Sequence, residues 1–325
     1  MAKLSKVAAK LHHQALDLVH SDKRLTLDDR YFILEHFHES ATNMNGLAGA
    51  FFTPEGLAND LSVEVQECKS LIDLCAGIGR LAFACREHAE RIVCVELNPE
   101  YAKVGMRVMP EAEWIVGDVF SLQDLGRFDV AISNPPFGAV KTGKAFSGRY
   151  TGASFEYKVI EVASQIADHG AFIIPQQSAP FRYSGCRNYS VEITPQCQKF
   201  MDQSGIMLEH NCGLDTSAYL DEWHGVSPMC EIVLCDFTQP RREALEVPAR
   251  AVAPLPATLA TPLNQLQVVK PKEQKEVVAQ PMLEAPNAQQ PDAKPTPVVP
   301  ATKSKRPKAR QTDADYGQLS LFDAA

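Results

Sequence analysis

Leu71-Ile72-Asp73-Leu74-Cys75-Ala76-Gly77-Ile78-Gly79-Arg80-Leu81 runs from an apolar stretch into an acid, then through a Gly-x-Gly turn into residues on helical spacing. The two glycines permit a tight strand-to-helix turn and close approach of a ligand to the backbone. Only the first two glycines of the dinucleotide fingerprint are present, Ala82 standing at the third, so a pyrophosphate ligand is not specified. Outward from this turn the pattern repeats. Arg91-Ile92-Val93-Cys94-Val95-Glu96 is a second apolar run closed by an acid, 23 residues after Asp73, where a carboxylate is placed to accept from ribose hydroxyls. Trp114-Ile115-Val116-Gly117-Asp118 is a third. Each acid alone reads as a solvated strand end; three in register read as a ligand site.

A fourth apolar run, Phe128-Asp129-Val130-Ala131-Ile132-Ser133, leads into Asn134-Pro135-Pro136-Phe137. Two prolines stiffen the peptide and remove two backbone donors, leaving carbonyl oxygens without competing N–H groups. The Asn134 side-chain carbonyl adds an acceptor. Asn134 Oδ1 and the Pro135 carbonyl together suit a planar exocyclic amine, with the Phe137 ring stacked on its heterocycle. Further runs near 170–175, 205–211 and 229–237 alternate with helical segments, which predicts an α/β fold with a mostly parallel seven-stranded sheet and helices on both faces. The last two runs have a short connection, so the final strand is expected to be reversed. Ligands of such sheets lie at the carboxyl ends of the strands, where these motifs fall.

In these motifs the chain resembles the class I S-adenosylmethionine-dependent methyltransferases, Rossmann-like in fold, and within them the amino-methyltransferases with Asn/Asp-Pro-Pro-aromatic. The resemblance implies that Gly77 and Gly79, with Asp73 and Ala76 beside them, hold the cofactor's methionine end. It also implies that Glu96 binds the ribose, Asp118 the adenine, and Asn134 to Phe137 the target amine, Asn134 touching the cofactor as well. Phe51-Phe52-Thr53-Pro54 is similar to the Phe/Tyr-Thr-Pro segment of adenine methyltransferases of restriction-modification systems, which adds Phe52 and Thr53 to the cofactor site. Read locally, the same segment is a helix start, with Thr53 as N-cap and Pro54 at the first helical position. The resemblance spans roughly Ala50 to Phe237.

Composition points to a cytoplasmic protein. The 325 residues are 45% hydrophobic with a formal charge of −8, and no apolar run approaches the roughly 18 residues of a membrane span. Lys3, Lys6 and Lys10 interrupt any signal-peptide core. Nine cysteines are scattered singly without a C-x-x-C pair, which argues against a zinc site or a disulfide framework. No metal ligand set is evident, and His12, His13, His36 and His38 read as surface or packing residues.

Residues 1–45 read as an extension of two helices, the second from Leu27 to about Ser40, with no chemistry of their own. Residues 46–238 form the catalytic domain, and 239–315 read as a disordered linker: residues 241–325 hold 12 of the 22 prolines and almost no aromatics. The stretch 241–325 contains 12 Lys+Arg and 9 Asp+Glu, a net +3, so residues 1–240 hold −11 of the total −8. An acidic body is poorly suited to a polyanion. Residues 316–325 contain Gln318-Leu319-Ser320-Leu321-Phe322, which resembles the Gln-Leu-Ser/Asp-Leu-Phe peptide that docks on bacterial replicative sliding clamps. Gln318 would bond at the rim of an apolar pocket filled by Leu319, Leu321 and Phe322.

These features lead to the expectation of methyl transfer to the N6 amine of adenine in DNA. An RNA base or protein-glutamine N-methyltransferase is the alternative. A non-catalytic clamp-binding or DNA-mimicking protein on a methylase fold is the alternative of another class. Lys141, Lys144 and Arg149, among glycines beside the amine motif, would grip phosphates around an extruded base. Gln176 to Ser204 is too short for a large sequence-reading region, which implies relaxed specificity or a target other than DNA.

Overall fold

Strands buried on both faces need apolar side chains at every position, and the quoted runs pair accordingly. The computed structural model describes residues 4–38, 51–122, 125–140 and 145–239. In it β1 (Cys68–Leu74), β2 (Ala89–Glu96), β3 (Glu113–Val116), β4 (Phe128–Ser133) and β5 (Ala167–Pro175) are parallel. A small antiparallel hairpin, β6 (Phe181–Arg182) and β7 (Ser190–Val191), follows β5. The sheet is completed by β8 (Glu209–His210) and β9 (Cys230–Asp236), in the order β3-β2-β1-β4-β5-β9-β8. The final strand β9 is antiparallel to both its neighbours, as its position in the chain led us to expect. This is the class I methyltransferase sheet.

Alternation along the strands divides the core in two. Leu71, Ile132, Ala171 and Ile232 face one cluster, shared with α1 (Lys6–His20), α2 (Leu27–His36), α3 (Glu55–Val63), α4 (Arg80–Ala84) and α5 (Pro99–Val108). Ile72, Leu74, Val93 and Val233 face the other, under α6 (Phe155–Ile166) and α7 (Pro195–Ser204). Asp73 therefore lies on the face of α1 to α5 although its neighbours in sequence face away.

The two N-terminal helices belong to that first core. A reciprocal capping box between Thr26 and Asp29 starts α2, a device that typically contributes about 1 kcal/mol. The helix ends at His36, short of the expected Ser40. Phe37 turns into extended backbone (φ −77°, ψ 121°) and buries its ring against Phe52 and Tyr101. His12 is buried and its Nδ1 accepts from the His38 backbone N–H, in keeping with a packing role.

Two further expectations are corrected. Residues 205–211 supply only the two-residue β8, because α7 runs on to Ser204 and Gly205 caps it in the left-handed region (φ +71°). Thr53 is not the N-cap of α3. Pro54 occupies that position without a side-chain bond, and the Thr53 hydroxyl is engaged elsewhere. The linker, the C-terminal peptide, Lys141 and Lys144 lie outside the described residues.

Candidate active site

The carboxyl ends of β1 and β4 open on a pocket lined by Phe52, Thr53, Asp73, Gly77, Arg80 and Asn134 among others. Its floor is the Gly-x-Gly turn. Gly77 (φ +58°) and Gly79 (φ +87°) both adopt the left-handed region, where a Cβ is strained. A Cβ on Gly77 would stand 3.3 Å from the Phe52 ring, and one on Gly79 3.1 Å from Trp114. Gly77 thus faces the pocket through Phe52, whereas Gly79 is needed for packing on Trp114. Cys75 also has positive φ (+64°) although it has a side chain, a strain of about 1–2 kcal/mol at the mouth of the strand.

Glu96 holds this turn. Its Oε2 accepts from Gly77 N–H at 2.8 Å and its Oε1 from Asn98 N–H at 2.8 Å. Burial pushes its carboxyl up to about 7 against the opposing pull of these N–H groups. Asp73 is buried and its carboxyl is pushed well above the usual range, first by burial and then by the charge of Glu96. One oxygen accepts from Ala82 N–H at 3.2 Å, while Oδ1 is buried without a hydrogen-bond partner among the described residues. Asp118 caps the turn after β3 by accepting from Phe120 N–H at 2.9 Å, and it does not line the pocket. Burial raises the Cys75 thiol, and the charges of Glu96, Asp73 and Asp118 raise it further.

Asn134 closes the other side. Its Nδ2 donates to the Phe51 carbonyl at 3.2 Å and to Thr53 Oγ1 at 3.0 Å. A carbonyl only accepts, so this contact assigns the orientation of the amide. Oδ1 is then buried and without a hydrogen-bond partner among the described residues. Pro135 is buried; Pro136 and Phe137 are half-buried, and Phe137 packs on the core below the pocket. Gly138 N–H, next in the chain, donates to Glu156 Oε2 at 2.9 Å, which pins the loop to the start of α6. Arg149 is exposed, and its backbone N–H is held by Glu161.

Residues 55–149 match the family model described as the methyltransferase small domain. The fold and this match are those of a class I S-adenosylmethionine-dependent methyltransferase. The chain is 27% identical over 161 residues to a tRNA1(Val) (adenine(37)-N6)-methyltransferase of Haemophilus influenzae, covering 44% of this chain and 68% of that protein. Among solved structures it is similar to a Pyrococcus horikoshii protein described as a candidate RNA methyltransferase (19% identity, 59% of this chain and 89% of that one, TM-score 0.41). Another is a class I methyltransferase candidate from Listeria monocytogenes (11% identity, 72% and 81%, TM-score 0.46).

The residues of this methyltransferase fit its cofactor. A buried carboxylate oxygen on Asp73 with no donor, and a Glu96 whose oxygens reach the same turn, suit a ligand that brings an ammonium, hydroxyls and a positive charge. The motifs did not reveal three contributors. Phe37 and Tyr101 stand behind Phe52 and set the pocket wall, and Glu156 fixes the loop after Phe137. Phe37 and Tyr101 look like ordinary helix-face aromatics in sequence, and a carboxylate inside a helix such as Glu156 gives no sign of burial.

Proposed function

We propose that this methyltransferase acts on the exocyclic N6 amine of an adenine in RNA. The carrying observation is Asn134. Its Nδ2 is spent on Phe51 and Thr53, and its Oδ1 is left as a buried acceptor in the cofactor pocket. An unpaired buried acceptor costs about 1–3 kcal/mol, which an incoming N–H donor offsets. The amine's lone pair is delocalised into its ring, so it attacks poorly while planar. Asn134 Oδ1 and the Pro135 carbonyl, by accepting its two N–H bonds, favour the pyramidal geometry and orient the lone pair. Asp73, Glu96 and the Gly77 turn would hold the cofactor, with Phe52 beside them. When bound, the cofactor supplies an electrophilic methyl group on a sulfonium. The product ammonium is itself acidic, so no general base of shifted pKa is called for.

RNA is preferred because the curated relative acts on tRNA adenine and because Gln176 to Ser204 holds only a two-residue hairpin and α7, with no large sequence-reading region. DNA is the second reading, favoured by the Phe52-Thr53-Pro54 segment and by the clamp-like C-terminal peptide. Transfer of a labelled methyl group to tRNA, ribosomal RNA, DNA and cell protein in parallel, followed by nucleoside analysis, tests it. N6-methyladenosine in RNA is the expected product. Label in glutamine, or at another base position, would overturn the assignment.

A further inference from the structure

Beyond the cofactor pocket, the hairpin of β6 and β7 builds a second cavity, of about 280 Å³, lined by Phe181, Tyr183, Tyr189, His210, Asn211 and Gly213. Phe181 is buried and Tyr189 stacks on it, with ring centroids 5.7 Å apart and planes at 25°. His210 meets Tyr189 edge-on at 5.7 Å. Tyr189 nevertheless remains 47% exposed. An aromatic ring held by its neighbours but open on one side is a platform for another flat ring. Arg182, between the lining residues Phe181 and Tyr183, alternates to the other side of the hairpin and stands 3.9 Å from Glu192. An aromatic platform of this kind, open on one side, suits a stacked base.

The cavity is also fastened to the amine motif. β5 carries the chain past the end of β4, since Ser133 pairs with Phe172 and β5 continues to Pro175. Ser178 then donates to Glu156 Oε1 at 2.9 Å, while Glu156 Oε2 accepts from Gly138 N–H at 2.9 Å, one residue after Phe137. On the far side of the hairpin, Glu192 N–H donates to the Pro180 carbonyl at 3.1 Å. A single buried carboxylate therefore ties the loop that would hold the target amine to the root of the aromatic hairpin.

We propose that this cavity binds an unpaired base of the substrate strand, a neighbour of the methylated adenosine, by stacking on Tyr189. The inference rests on the nucleic-acid reading of the function. Unpaired bases occur in RNA loops and in single-stranded DNA, and the test separates the two.

The test uses the full chain and short single strands containing one adenine, in RNA and in DNA form. Tyr189→Ala should raise KM and Kd for the strand about tenfold to a hundredfold, leaving kcat and cofactor affinity unchanged, while Tyr189→Trp keeps wild-type binding. Removing one base at a time from the strand should identify a position near the target where the loss equals that of Tyr189→Ala and is not added to it. The form of the strand that shows this coupling names the source of the base. Wild-type KM in Tyr189→Ala, with the wild type active on the strand, overturns the stacking site and leaves the function standing. A wild type that neither binds nor methylates any strand removes both. Concentration-dependent self-association that Tyr189→Ala abolishes, with unchanged strand affinity, would instead make this face a contact between copies and overturn the proposal.

Discussion

The side-chain amide of Asn134 donates to the hydroxyl oxygen of Thr53 at 3.0 Å, across 81 positions of sequence. The amine motif at the end of β4 and the segment before α3 thus hold one another. Thr53→Val keeps the shape and removes the acceptor, leaving Asn134 Nδ2 with the Phe51 carbonyl alone. We expect kcat to fall about fivefold to thirtyfold, the equivalent of one hydrogen bond of about 1–2 kcal/mol, and Thr53→Ser to recover it. Steady-state kinetics with thermal melting decides the matter. A loss of stability with unchanged kcat would make the Thr53–Asn134 bond a structural tie only.

Glu96 makes stability depend on pH and, as the proposed ribose ligand, would make cofactor binding depend on it too. Its folded-state value, raised to about 7 by burial, lies above that of the unfolded chain. Its contribution to stability is therefore fully present below about 4.5 and is lost as pH rises through about 7. Ribose hydroxyls donating to the carboxylate favour its ionised form. Cofactor binding should then release a proton near pH 6–7 and tighten as pH rises across that interval. Calorimetry in buffers of different ionisation enthalpy measures the proton count, and Glu96→Gln should abolish that part of it.

Gly77→Ala and Gly126→Ala form a matched pair. Both residues have positive φ, but a Cβ on Gly77 meets Phe52 at 3.3 Å while one on Gly126 meets nothing within 4 Å. Each substitution should cost about 1–2 kcal/mol of stability from backbone strain. Only Gly77→Ala should also weaken S-adenosylmethionine, by about tenfold or more. Equal cofactor affinities in the two variants would place the cofactor away from the turn.

The N-terminal helices were legible as helices, yet their purpose was not. Phe37 occupies a helical spacing in sequence and leaves the helix in the structure, because burial against Phe52 and Tyr101 outweighs one more helical turn. The five parallel strands followed from apolar runs, most of them closed by acids, and the reversed β9 from its short connection, while the strand order came from the structure. The hairpin of β6 and β7 escaped notice because two-residue strands have no periodicity to read. Glu96 was legible as a strand-end acid, but its grip on Gly77 was not, since backbone donors leave no trace in side-chain identity. Asp73 shows the reverse: its place in the motif was clear, and its orphaned oxygen required coordinates.

Phe37→Ala is accordingly expected to act at a distance from its own helices. Removing a buried Phe should cost about 3–5 kcal/mol in chemical denaturation. Because Phe52 loses its backing, S-adenosylmethionine affinity should fall as well. Cofactor affinity unchanged in the folded variant would show the two helices to be a separate support.

The C-terminal peptide gives a separable expectation. If this peptide docks on a bacterial sliding clamp, Leu321→Ala with Phe322→Ala should abolish capture by it and leave methylation of short strands in clamp-free solution unchanged, since such a motif acts through local concentration. Clamp capture that survives the double substitution would rule out the docking role.

Asn134→Ala offers the most direct test, read by single-turnover methyl transfer to adenine alongside calorimetry of S-adenosylmethionine. With the acceptor gone, the methyl-transfer rate should drop about 10²- to 10³-fold while the cofactor dissociation constant moves by less than about threefold. A variant that keeps more than about a tenth of the wild-type rate, or whose loss is wholly a loss of cofactor affinity, would contradict the assignment of Asn134 Oδ1 to the target amine.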